Sequence, residues 1–178
     1  MSGNFIKLNK IRVYKDTLSK EQQDYIEQTL LGIPNSFPWY FIDDVTYPGA
    51  KKPRPALIHN IVMGSKVNSD FMNLIQLFNI VPEKNIVQAR AILQLPLNEK
   101  LIGKKYDTPH IDMNIPHNVY LYYVCDSDGE TVFFENKKII KKIKPKKGTL
   151  VVFDGAIYHT AFQPKKSKRC IINIDVAR

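Results

Sequence analysis

Residues 118–153 read NVYLYYVCDSDGETVFFENKKIIKKIKPKKGTLVVF, and this stretch decides the fold. Its apolar runs are short and rich in β-branched and aromatic residues, as is typical of strands. They cover residues 118–124, 131–134, 139–143 and 149–153. Turn-forming sequences, DSDG and KKG, separate several of the runs. Successive short strands joined by such turns indicate an antiparallel sandwich or barrel.

Two further runs, at 86–95 and 169–176, extend the β pattern on both sides. Before residue 85 the pattern changes. Ser19 is the predicted N-cap of a helix that ends near residue 31, before Gly32. Residues 68–78 have helical apolar spacing, and 5–13 and 56–63 have the composition of strands. We therefore predict a single domain, mainly β with supporting helices (α+β), with a helical and extended support region at 1–84 and a two-sheet jelly-roll core at 85–178.

Composition and charge narrow the class of protein. No apolar run approaches the length of a membrane span, and the N-terminus lacks the apolar segment of a signal peptide, so we expect a cytoplasmic protein without membrane contact. The net charge is +9, and many lysines cluster at 137–147. An exposed, lysine-protected edge hairpin explains that cluster. The alternative explanation is a polyanionic partner such as nucleic acid.

The sequence His110-Ile111-Asp112 is followed 49 residues later by His159. In an extended chain, residues i and i+2 point to the same face, so His110 and Asp112 can reach one metal ion. His159 follows the run at 149–153, at a strand end or in the next turn, where it can complete the set. Two histidines and one carboxylate on one face of an octahedron are diagnostic of non-haem iron(II) oxygenases.

Arg169 opens the last apolar run and alternates in phase with Ile171, Asn173 and Asp175. Polar groups on one face of a terminal strand indicate a polar cavity. A guanidinium can pair bidentately with a carboxylate, which a co-substrate chelating the metal at its other end requires. The alternative is that Arg169 is one more surface cation of the segment KKSKR.

The stretch 108–176 resembles the catalytic core of the prolyl 4-hydroxylase branch of the iron(II) and 2-oxoglutarate oxygenases. The resemblance rests on HID, LYYVCDSDGETVFF, IKPKKGTLVVFDGAIYHTAFQP and KRCIINI, in the family's order and spacing. It departs at Asp128, where the family's hairpin has glycine, and at Arg169, where many collagen-type enzymes have lysine. The N-terminal half is more similar to small phage and viral members of the family.

This resemblance implies a double-stranded β-helix fold and a dioxygenase that converts 2-oxoglutarate and O₂ to succinate and CO₂ while hydroxylating a C–H bond. It implies Fe(II) held by His110, Asp112 and His159, and 2-oxoglutarate bound by Arg169. Tyr123 matches a position where related enzymes share that carboxylate; the alternative is a core aromatic. Ascorbate is a candidate reductant. The family's default substrate is a peptidyl proline, with another amino-acid residue or a small molecule as alternatives.

Four other side chains are candidates for contacts with substrate or for groups behind the metal ligands. Arg90 and Gln94 alternate on a predicted strand and line the mouth of the site or face solvent. Asn173 shares the face of Arg169. Trp39 forms a substrate wall or packs on the sheet. His117 is expected at the surface or behind the ligands rather than among them.

Three other functions compete with this prediction. A nucleic-acid-modifying oxygenase of the same superfamily would use the positive charge. A non-catalytic, cupin-like jelly roll would hold a metal structurally but would not need Arg169 as an anchor for a carboxylate. A zinc hydrolase would need a general base, which the sequence does not clearly provide.

Overall fold

The computed structural model describes residues 11–34, 36–45, 54–98 and 106–178. Strands dominate this part of the chain, with two α-helices and one 3₁₀ turn. In chain order the elements are β1 (Ile11–Tyr14), α1 (Lys20–Leu31), β2 (Tyr40–Ile42), β3 (Ala56–Met63), β4 (Lys66–Val67), α2 (Met72–Gln76), the 3₁₀ turn (Glu83–Asn85), β5 (Ile86–Gln94), β6 (His117–Tyr123), β7 (Thr131–Glu135), β8 (Lys138–Ile143), β9 (Leu150–Asp154), β10 (Tyr158–Ala161) and β11 (Arg169–Ala177).

The strands form two antiparallel sheets. The larger has the order β1-β9-β6-β11-β5-β3-β2, with β4 paired to β3, and the smaller has the order β10-β7-β8. Crossovers between non-consecutive strands and two facing sheets define a jelly roll. The predicted fold class, mainly β with supporting helices around a jelly-roll core, is confirmed.

Strand β6 shows how the core divides. Tyr120 and Tyr122 point to one side, where they pack in a cluster with Ile26 of α1 and Leu74 of α2. Alternate residues of β6 point to the other side and pack with buried residues of the smaller sheet, including Phe133. Because side chains of a strand alternate between faces, one strand contributes to both layers. The helices thus cover the outer face of the larger sheet and leave its inner face to the site.

The helix predicted after Ser19 is confirmed as α1. Ser19 Oγ accepts from the Gln22 backbone N–H at 3.3 Å, and Gln22 Oε1 accepts from the Ser19 N–H at 2.9 Å. This is a reciprocal capping box. The helix predicted at 68–78 is wrong in extent, because the structure has only α2. Ser69 Oγ accepts from the Phe71 N–H two residues on, and such a local bond favours a turn over a helix.

The six strands predicted from residue 86 onward are confirmed as β5, β6, β7, β8, β9 and β11. The larger sheet also takes strands β1 to β4 from before residue 85, so the division into a support region and a core at that residue does not coincide with a sheet boundary. The predicted strand at 5–13 lies outside the described residues up to residue 10. The single domain stays a prediction.

The lysine-rich segment includes an edge strand, as expected. β8 lies at the edge of the smaller sheet, and Lys138, Lys142 and Lys144 are exposed. Within the described ranges, no helix has the length and hydropathy required to cross a membrane. The cytoplasmic location stays a prediction.

Candidate metal centre

A backbone bridge brings the two sequence-distant histidines together. His110 and His159 exchange two N–H···O bonds of 3.0 Å, which places their ring centroids 5.0 Å apart. His159 lies in a strand of its own, β10, rather than at the end of β9 or in a turn. Asp112 lies in a bend before β6 and not in the extended strand assumed from its spacing. The side chains of the two residues nevertheless converge.

The three donor groups face one point. His159 Nε2 lies 3.4 Å from Asp112 Oδ2, and His110 Nε2 lies 3.9 Å from Asp112 Oδ1. His110 Nδ1 contacts the Thr108 carbonyl at 3.0 Å, and His159 Nδ1 contacts the Ile157 carbonyl at 3.1 Å. A carbonyl can only accept, so each Nδ1 carries a proton, and each ring in its neutral form presents an Nε2 lone pair. This donor set fits a divalent metal ion.

Burial and charge act in opposite directions on these groups. Burial raises the pKa of Asp112, but His159, Arg90 and His110 outweigh it and hold the pKa far below the usual range. Burial lowers the pKa of His159, but the Asp112 carboxylate outweighs it and the net shift is upward. Burial and the nearby His159 lower the pKa of His110. Asp112 is therefore ionised at neutral pH.

Arg169 is buried at the start of β11 and bonded to neutral acceptors. Its Nε donates to the Gly129 carbonyl, its Nη1 to Gln94 Oε1 and its Nη2 to Thr131 Oγ1, each at 3.0 Å. A guanidinium has five N–H donors, so these contacts leave one on each Nη nitrogen. No carboxylate of the described residues forms a salt bridge with Arg169. Burial lowers the pKa of this guanidinium.

Thr131 is the site residue that sequence reasoning missed. Its Oγ1 accepts from the Tyr123 hydroxyl at 2.7 Å and from Arg169. Both lone pairs are then used, so the threonine proton is free to donate. Burial raises the pKa of Tyr123 to about 12, which keeps its hydroxyl protonated. Tyr123 is fully buried and lies behind Thr131 rather than on the cavity wall. A threonine in an apolar run gave no signal of this role.

One cavity of about 300 Å³ joins the two groups. Asp112 and His159 line one part of it, and Arg169 and Thr131 line another. Ile171 of β11 and its partner Ile92 of β5 also line the cavity, and they lie between the pairs Arg169–Gln94 and Asn173–Arg90 along these strands. The structure therefore places three side chains that could hold a metal ion and a buried guanidinium in one space of small-molecule size.

Behind Asp112 lies a second polar cluster. Arg90 Nη2 lies 3.2 Å from Asp112 Oδ1 and 3.9 Å from Asp175 Oδ2. Asn173 Nδ2 donates to Asp112 Oδ2 at 3.4 Å. Burial and the adjacent Asp112 raise the pKa of Asp175 to about 8. His117 is buried with them, which matches the second of its two expected positions, behind the ligands and not at the surface. It packs against Gly155, where only glycine leaves room for the ring.

The remaining predicted residues divide between the cavity and the core. Arg90, Gln94 and Asn173 line the cavity. Trp39 does not. It packs against the core on the helix side of the larger sheet, and its Nε1 donates to the Leu30 carbonyl at 3.2 Å. The cavity also contains Asp107, which sequence reasoning did not consider.

Asp107 forms a buried ion pair across the cavity wall. Its Oδ1 lies 2.8 Å from Arg54 Nε. Burial outweighs the attraction of Arg54 and raises the pKa of Asp107 to about 6. The Asp107 carboxylate, which also interacts electrostatically with Arg169, therefore already has a cationic partner.

Comparison with known proteins identifies the fold of the chain through similar solved structures. No protein-family model matches the chain, and no curated protein matches it. A 2OG-Fe(II) oxygenase family oxidoreductase from Burkholderia pseudomallei superimposes with a TM-score of 0.72 at 11% identity, covering 95% of this chain and 85% of that one.

Two prolyl hydroxylase structures also match. The enzyme from Trichoplax adhaerens, in complex with a hypoxia inducible factor oxygen degradation domain peptide fragment, has a TM-score of 0.62 at 16% identity, covering 95% of this chain and 84% of that one. The viral collagen prolyl hydroxylase of Paramecium Bursaria Chlorella virus-1 has a TM-score of 0.55 at 17% identity, covering 95% and 91%. At these identities the similarity establishes that the chain has the jelly-roll fold shared by 2OG-Fe(II) oxygenases and prolyl hydroxylases.

Proposed function

We propose that this protein is an Fe(II)- and 2-oxoglutarate-dependent dioxygenase that hydroxylates a C–H bond of an amino-acid residue in a peptide. The observation that carries the proposal is the single cavity shared by His110, Asp112, His159 and Arg169. A structural metal module would need only the first three residues. A buried guanidinium with two N–H groups left over has a use only if an anion enters the same space.

His110, Asp112 and His159 would hold Fe(II) and leave three coordination positions for other ligands. When bound there, iron supplies the oxidation of 2-oxoglutarate by O₂ to succinate and CO₂, coupled to hydroxylation of the substrate, with ascorbate as the candidate reductant. The two Nδ1–H···O=C bonds fix both imidazole rings before a metal arrives.

Arg169 and Thr131 would bind the distal carboxylate of 2-oxoglutarate. The two free N–H groups of Arg169 lie on different nitrogens, which suits bidentate pairing. The Thr131 hydroxyl adds a third donor, and Tyr123 keeps that hydroxyl turned toward the cavity by donating to its oxygen. Gln94 holds the guanidinium from the other side and is itself 3.4 Å from Gln163.

A peptide substrate is favoured by the fold neighbour that was solved with a peptide fragment. Peptidyl proline is the first substrate to test, followed by other residues. β8 is an edge strand, and lysines commonly protect such strands. The lysines of this segment can therefore be explained without a nucleic-acid partner.

The test is anaerobic addition of Fe(II) and 2-oxoglutarate to the apo-protein, monitored by the weak visible charge-transfer band of the chelate. The wild type should develop the band, His110→Ala should lack it, and Arg169→Ala should need far more 2-oxoglutarate to reach it. Arg12→Ala, which removes an exposed arginine of β1, is the matched control and should behave as wild type. A folded wild type without the band would overturn the proposal in favour of a non-catalytic jelly roll.

A further inference from the structure

We propose that Arg90 is a positioning residue that holds the Asp112 carboxylate in the orientation required for metal binding. This inference rests on the proposed metal-binding role of Asp112. Nothing in the motif HID or in the spacing of the ligands points to Arg90, because it lies 22 residues before Asp112 on a different element.

The backbone does not fix Asp112. His110 is held by its bridge to His159, and His159 is part of β10, whereas Asp112 lies in a bend outside any strand. The orientation of its carboxylate therefore depends on side-chain contacts. Arg90 donates to Oδ1 at 3.2 Å, and Asn173 donates to Oδ2 at the longer distance of 3.4 Å. The contact from Arg90 is the stronger of the two, because its donor is charged as well as the acceptor.

Arg90 is itself held in place. It lies on β5 directly opposite Asn173 of β11 and opposite Asn60 of β3, in the middle of the larger sheet. Its Nη2 also approaches Asp175 Oδ2 at 3.9 Å, and Asp175 is fully buried. One guanidinium thus lies between two acidic side chains. With Oδ1 engaged by Arg90, Asp112 presents Oδ2 toward both His159 and Asn173.

The same cluster offers a competing explanation. Asp112, His117 and Asp175 have ligand atoms within 4.8 Å of one another and form a second group able to hold a metal. Arg90 already serves the carboxylate pair as its cation, at 3.2 and 3.9 Å. A second divalent ion at that position would stand beside a guanidinium and share its carboxylates. The contacts therefore favour the Arg90 guanidinium, and not a second metal ion, as the cation between Asp112 and Asp175.

Positioning and plain electrostatics predict opposite results when the charge is removed. A cation beside a metal ligand repels the metal, so an arginine without a positioning role would weaken metal binding, and its removal would tighten it. If Arg90 orients Asp112, its removal weakens binding. Partners that hold metal ligands typically contribute about 10- to 100-fold to metal affinity.

The experiment is Mn(II) titration of the wild type, Arg90→Met and Arg90→Lys by calorimetry, with the visible spectrum of the Co(II)-loaded proteins as a reporter of ligand geometry. Arg90→Met should lose about 10- to 100-fold in Mn(II) affinity and show an altered Co(II) spectrum. Arg90→Lys keeps the charge but not the planar guanidinium, so its Mn(II) affinity should lie between those of the wild type and Arg90→Met. Arg12→Met is the matched control and should bind as wild type.

The outcomes separate the two proposals. If the wild type binds no Mn(II), the proposed function fails. If the wild type binds one Mn(II) and a folded Arg90→Met binds it equally or more tightly, the role of Arg90 is overturned while the function stands. If Arg90→Met does not fold, Arg90→Lys decides, and binding equal to wild type overturns the proposal. Two Mn(II) ions per wild-type chain would also overturn it, in favour of the second metal group.

Discussion

At one end of the cavity the buried guanidinium of Arg169 has only neutral acceptors around it, whereas at the other end the buried carboxylate of Asp112 lies among two imidazoles and a guanidinium. The first end carries a positive charge that forms no salt bridge within the described residues, and the one carboxyl group that acts on it electrostatically, Asp107, is paired with Arg54. The second end presents a carboxylate oxygen and two nitrogen lone pairs toward one point. The first end therefore lacks an anion, and the second end lacks a cation.

This difference explains why the two ends need different support. A buried charge is costly unless hydrogen bonds and a counter-charge satisfy it. Around Arg169 the protein supplies fixed hydrogen-bond acceptors, including Gln94 and Thr131, and leaves the counter-charge to the ligand. Around Asp112 it supplies a counter-charge through Arg90 and leaves two lone-pair donors, His110 and His159, for the metal. Both ends are organised before a ligand binds, which reduces the free-energy cost of binding.

The largest expected change in ligand affinity is for the metal ion. His159→Ala removes one of three metal ligands, and Mn(II) affinity should fall on the order of 1,000-fold, or about 4 kcal/mol. Calorimetric titration of the apo-protein measures it. His59→Gln is the control, since His59 contacts Pro38 and Ser69 and lies outside the cavity. Retention of wild-type affinity by His159→Ala would remove His159 from the metal site.

The anion end should respond separately. Arg169→Met should reduce the 2-oxoglutarate affinity of the Mn(II)-loaded protein roughly 100- to 1,000-fold, because a buried charge-assisted pair is lost. Its Mn(II) affinity should change less than about twofold, since Arg169 contacts no metal ligand. Arg169→Lys should be intermediate. Equal losses of Mn(II) and 2-oxoglutarate affinity would show that the two ends are coupled and do not act as separate binding sites.

Asp107 tests whether the anion end is truly short of negative charge. Its pKa of about 6 lies above the usual 3.8, so the folded state binds the proton more tightly than the unfolded chain. Folding stability is then lost as pH rises from about 4 to about 6. Relative to Asp107→Asn, the wild type should lose roughly 2 kcal/mol over this window. Urea unfolding of the apo-proteins from pH 4 to 7.5 measures the difference.

A constant difference between the two proteins across that pH range would mean that Asp107 is ionised throughout. Arg169, with which Asp107 interacts electrostatically, would then have a nearby negative charge at acidic as well as at neutral pH. Asp107→Asn should in that case also change 2-oxoglutarate affinity, which the same Mn(II)-loaded titration detects.

The features that sequence alone predicted are local ones. The strands from residue 86 onward follow from short alternating runs, and helix α1 follows from Ser19 and Gly32 at its ends. The metal residues converge as their spacing suggested, although by a different route. The bridge between His110 and His159 supplies the geometry that a continuous strand at His110 and Asp112 was expected to give.

The features that sequence did not predict depend on pairing between distant strands. β1 joins the sheet by pairing with β9, and no local pattern specifies such a partner. Trp39 packs in the core because Phe37 and the end of α1 surround it. Thr131 has the composition of an ordinary strand residue, and only the fold brings it beneath Arg169. The residues of the metal end could be predicted from a sequence motif. The residues that support Arg169 could not, because strand pairing brings them together.

Thr131 therefore gives the smallest but most discriminating test. Thr131→Val keeps the shape and removes the hydroxyl, and 2-oxoglutarate affinity should fall about tenfold through loss of one hydrogen bond to a charged group. The buried Tyr123 hydroxyl would lose its acceptor, which should lower the free energy of unfolding by about 1–3 kcal/mol. Thr160→Val is the stability control, because the Thr160 hydroxyl has no hydrogen-bond partner among the described residues.

The double variant Thr131→Val/Tyr123→Phe separates the two roles of this hydroxyl. Removing both partners of a buried hydrogen bond costs less than removing one, so the double variant should regain most of the lost stability. It should not regain 2-oxoglutarate affinity, because the donor toward the cavity is still missing. If both properties recover together, Thr131 acts only by packing, and Arg169 binds the carboxylate without it. If only stability recovers, the anion end uses a hydroxyl and a guanidinium jointly, with Tyr123 acting through Thr131.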